Sequence, residues 1–208
     1  MSNTEKLVIT NTEECLRRAL NEADAFIGAQ QLAKREALHL RLLVEETLGM
    51  VRAMAGDFGA LFWIEKDDED YKIRLSVRTE MSKEKKDELL SVARSGKNAA
   101  ARGFMGKVRE IIENSMLNFD DVMKLQEKYD GGYISYAHMG MNAPGEPLIT
   151  GDLMMWKLST YKDSLKGSQE EQAHREAWDE LEKSIVAKLA KDVVVGVKKD
   201  SVEMTIVG

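Results

Sequence analysis

The sequence holds one cysteine, Cys15, and two prolines, Pro144 and Pro147. A single thiol excludes an intrachain disulfide and any cysteine-based zinc or iron–sulfur centre. His39, His138 and His174 are too scattered to supply the short ligand spacings of a histidine metal site. No apolar run approaches the roughly 20 residues that a membrane helix needs. Positive charge is in deficit: 30 Lys and Arg face 36 Asp and Glu, a net charge of -6. Such a chain lacks the basic footprint of a general nucleic-acid binder. No nucleophile elbow, P-loop or dinucleotide fingerprint occurs. The segment from Met1 to Lys6 is polar and has no apolar signal core, so a cytoplasmic protein is expected.

What is present suits a folded domain. The 208 residues are 43% hydrophobic and 32% charged, which excludes a disordered composition and fits one large domain over residues 1–208. Scarce proline favours long uninterrupted elements. The 12 methionines are scattered and read as core filler.

Residues 6–10 are rich in β-branched side chains and predict a strand. Leu16, Ala19, Leu20, Ala23 and Ile27 recur at helical spacing, so residues 12–27 predict an amphipathic helix ended by Gly28. A second helix is expected over residues 32–55, stopped by Gly56. Residues 59–65 and 71–79 predict a hairpin around a charged turn, the second strand through Tyr71, Ile73, Leu75, Val77 and Thr79. Residues 103–116 read as a further amphipathic helix. Tyr129 to Tyr133 and Asn142 to Pro147 have turn and loop composition. Ser168 and Glu171 form a capping box that opens a helix to residue 191. Residues 193–197 and 201–207 predict a closing hairpin. Hairpins alternating with helices give an α+β chain. The expected architecture is a two-layer α/β sandwich, a mostly antiparallel mixed sheet with helices on one face.

This order, and the string Leu42-Leu43-Val44-Glu45-Glu46-Thr47-Leu48-Gly49-Met50-Val51-Arg52-Ala53, resembles the histidine-kinase-like ATPase superfamily. The resemblance is greatest to the bacterial anti-sigma-factor serine kinases and covers residues 7–116 and 192–207. It implies that residues 117–191 are a large insert. In that family a Glu on the second helix orients or activates a water, and an Asn four residues later coordinates the Mg2+ that bridges the phosphates. Here Glu46 takes the first position and Met50 the second. A thioether is a poor ligand for a hard cation, so a Mg2+ site is not expected. The family's Asp-x-Gly-x-Gly adenine motif falls on residues 79–83, with Thr79 at the Asp position and Met81 at the first Gly. Its phosphate-binding helix start falls on residues 101–107, where Gly103 and Gly106 stand.

The resemblance thus implies one catalytic candidate, Glu46. It also implies a group for ATP or ADP: Thr79, Lys97, Arg102, Gly103, Gly106 and Lys107. Residues 83–109 carry eight basic against three acidic side chains, which suits an anion site or a solvated face. For Glu45 and Glu46 the plainer alternative is one carboxylate in solvent and one paired with Arg41. The expectation is a bacterial regulatory protein with weak, altered or lost nucleotide binding. It acts through a protein partner, with the insert as a partner or homodimer module. The alternatives are an active serine kinase with Glu46 as base, and a small-ligand protein whose pocket is lined by the insert, which a pocket at Trp156 and Tyr161 away from Gly103 would favour.

Overall fold

Alternation of apolar and polar residues decides which face of the sheet meets the helices. The computed structural model describes residues 2–54, 59–78, 104–115, 153–166, 172–198 and 201–208. Its strands are β1 (Leu7–Ile9), β2 (Ala60–Asp67), β3 (Asp70–Arg78), β4 (Leu153–Lys157), β5 (Asp192–Lys198) and β6 (Ser201–Val207). They form one six-stranded sheet in the order β1-β2-β3-β6-β5-β4. Every neighbouring pair is antiparallel.

Register places the apolar partners in rows. Phe62 faces Leu75, which faces Met204, which faces Val195, which faces Trp156. All five are buried. A slip of one residue would turn such a row to solvent, so burial fixes the register. The next row along the opposite face carries Leu61, Ser76 and Glu203, none of them buried. Among the described residues the sheet therefore has one covered and one open face.

The covering layer is helical: α1 (Glu13–Ala29), α2 (Lys34–Ala53), α3 (Phe104–Ser115), α4 (Leu158–Lys166), α5 (Gln172–Lys183) and α6 (Ile185–Leu189). In α1 the buried residues are Leu16, Ala19, Ala23, Phe26 and Ile27, a stripe at helical period. In α2 they include Leu40, Leu43, Val44, Thr47, Leu48 and Val51. The two-layer α/β sandwich expected of the sequence is the architecture of the protein.

Several local features differ from the sequence reading. Helix α1 runs through Gly28 to Ala29. Glycine in a helix costs about 1 kcal/mol, too little alone to end one packed along its length. The first hairpin turns through Asp68 at φ 54°, so both its strands reach further into the turn than expected. Strand β4 is unforeseen, and the single helix expected over residues 168–191 is two. They break at Ser184, whose side chain accepts the Ala187 amide at 3.2 Å and caps α6. The capping box at Ser168 lies outside the described residues, as do the turns expected within residues 129–147.

A second capping device joins sheet to helix. Asp192, opening β5, accepts from the Ser159 amide at 3.0 Å and from its hydroxyl at 2.9 Å, at the start of α4. The carboxylate thus satisfies an orphan donor and complements the helix dipole.

Tyr71 packs edge-on against Phe26, with ring centroids 6.3 Å apart. Its hydroxyl is buried without a hydrogen-bond partner among the described residues. A buried unmet polar group costs about 1–3 kcal/mol. Tyr71→Phe is therefore expected to stabilise the fold by about 1 kcal/mol, read as a raised urea midpoint at unchanged slope.

Candidate functional site

Glu46 and Met50 lie one turn apart on α2, and the helix treats them oppositely. Glu46 is half-buried and has no ion pair or hydrogen bond among the described residues. Met50 is 5% exposed and belongs to the core. Between them Thr47 is fully buried, and its hydroxyl donates to the Leu43 carbonyl at 2.7 Å, which settles its polar group within the helix. Glu45 is the surface member of the acidic pair. It meets Arg41 at 2.7 Å, and Arg41 also pairs with Asp24 of α1. The plainer alternative thus holds for Glu45, and Glu46 remains the unengaged carboxylate.

Helix α3 stands beside the end of α2. Arg109 is 4% exposed, and its Nη1 donates to the Ala53 carbonyl at 2.9 Å. That carbonyl is among the last of α2, where intrahelical donors run out and a cation is favoured. In the sequence Arg109 belongs to a basic run that suits an anion site or a solvated face. Its neighbours Val108 and Ile112 are buried, so the position flanks an apolar stripe. That flanking position is the one signal that marks it as inward.

Phe104, the first residue of α3, stands 5.5 Å from the Trp156 ring, and Trp156 stands 5.9 Å from Tyr161. Trp156 is 3% exposed and Phe104 is buried. Strand β4 and helix α4 thus fix the start of α3 through an aromatic cluster. The small-ligand alternative called for a site at Trp156 and Tyr161 away from Gly103. Among the described residues Trp156 lies between Phe104 and Tyr161, and Gly103 is outside them.

Of the nucleotide-site candidates, Gly106 is buried in the first turn of α3. Lys107 lies on α3, its side chain outside the described residues. Thr79, Lys97, Arg102 and Gly103 also lie outside the described residues. Glu46 and Gly106 are therefore the two candidates that the fold positions, on adjacent helices. No group of three or more His, Cys, Asp and Glu able to hold a metal ion occurs among the described residues. The buried thioether of Met50 does not suit Mg2+.

The open face carries its own charged network. Arg74 Nε donates to Glu65 at 2.8 Å, Trp63 Nε1 donates to the other Glu65 oxygen at 3.2 Å, and Arg74 Nη1 donates to Thr205 at 3.2 Å. Lys6 covers the Trp63 ring at 4.6 Å. Partial burial pushes the Glu65 carboxyl up, but the hydrogen bonds from Arg74 and Trp63 and the nearby cations outweigh it. The net effect holds Glu65 below its ordinary 4.5. A depressed carboxylate stabilises the fold above its unfolded value, and that stability is lost as pH falls through the folded value. Glu65→Gln is accordingly expected to flatten the pH dependence of unfolding free energy below about pH 4.5, measured by urea titration at stepped pH.

No protein-family model, curated protein or solved structure matches the chain. No helix among the described residues is long and apolar enough to cross a membrane. The class defined here is structural: an open-faced two-layer α/β sandwich with an antiparallel sheet.

Proposed function

We propose that the chain is a bacterial regulatory protein built on a histidine-kinase-like ATPase scaffold. It acts through a protein partner in the cytoplasm and carries out no Mg2+-dependent phosphotransfer. The observation that carries the reading is the burial of Met50 one turn after the half-exposed Glu46. In this scaffold the second position supplies the oxygen ligand for Mg2+, and a buried thioether offers none. Support also comes from the neighbourhood of α2 and α3, joined by Arg109 and bringing Glu46 and Gly106 onto adjacent helices. Helix α3 retains a glycine in its first turn, so its amides can still receive an anion. Nucleotide binding is thus weak, altered or lost, and any binding of ATP or ADP is independent of the metal. Calorimetric titration with both nucleotides, with and without Mg2+, tests the reading.

One observation favours an active serine kinase instead: Glu46 is half-buried and has no ion pair or hydrogen bond among the described residues, which leaves its carboxylate available to accept a proton. Mg-ATP-dependent phosphorylation of a partner that disappears in Glu46→Gln would replace the first reading with this one.

A further inference from the structure

No further inference is drawn: the strongest candidate, the buried Trp156 indole N–H without a hydrogen-bond partner beside the first residue of α3, belongs to the helix start already described, and no second ligand-directed group stands with it among the described residues.

Discussion

Trp156→Ala is expected to destabilise the protein by about 3–5 kcal/mol, the range for truncating a buried large aromatic. The side chain sits on strand β4 at the sheet edge, is 3% exposed, and meets Phe104 of α3 and Tyr161 of α4. Its loss opens a cavity where three elements converge, and the aromatic contacts go with it. Trp156→Phe should cost much less, because a ring still fills most of the space. It also removes an indole N–H that is buried without a partner among the described residues. Urea unfolding of both variants measures the difference. Equal stability of Trp156→Ala and the parent would show that β4 does not belong to the sheet.

Replacing Arg109 by Met should cost about 1.5–3 kcal/mol, the worth of a hydrogen bond to a charged group. The long apolar chain keeps the volume, so the loss isolates the polar role. The Ala53 carbonyl at the end of α2 would lose its donor, and α3 would lose its tie to that end. Arg109→Lys keeps the charge and one donor without the planar fork, so it should recover only part of the loss. The ordering parent, then Lys, then Met in urea midpoint is the expected result. A Met variant as stable as the parent would leave the bond without energetic weight.

The hairpins were legible because period-two alternation survives along β2, β3 and β6. In β3, Tyr71, Ile73, Leu75 and Val77 are buried and Lys72, Arg74 and Ser76 are not. Strand β4 was not legible, because Leu-Met-Met-Trp-Lys is a nearly continuous apolar run of five residues. Such a run has no period to read, and its place comes from pairing with β5. The break between α5 and α6 escaped notice because Ser184 sits amid ordinary helix formers. Its capping role depends on the local backbone that its own bond helps to set.

The site was legible in part. A spacing of four puts residues 46 and 50 one turn apart on any helix, so their relation follows from sequence. That Met50 lies in the core while Glu46 reaches the surface is decided by the packing of α2 on its neighbours. Arg109 shows the same limit more sharply. Charge alone assigns it to solvent, whereas the fold buries it with a hydrogen bond to the carbonyl at the end of a distant helix. The Ala53 carbonyl and Arg109 are 56 positions apart in the chain, so no local pattern couples them.

The proposed reading turns on Met50, a buried thioether where the resembled scaffold has its Mg2+ ligand, so that any nucleotide binding is independent of Mg2+. The most direct measurement is the dissociation constant for ADP and for ATP, by calorimetry, with Mg2+ and with a chelator. The account predicts the same result in both conditions, whether that is weak binding or none. A rise of about tenfold or more in affinity on adding Mg2+, worth about 1.4 kcal/mol, would contradict it and place a working metal site beside Glu46.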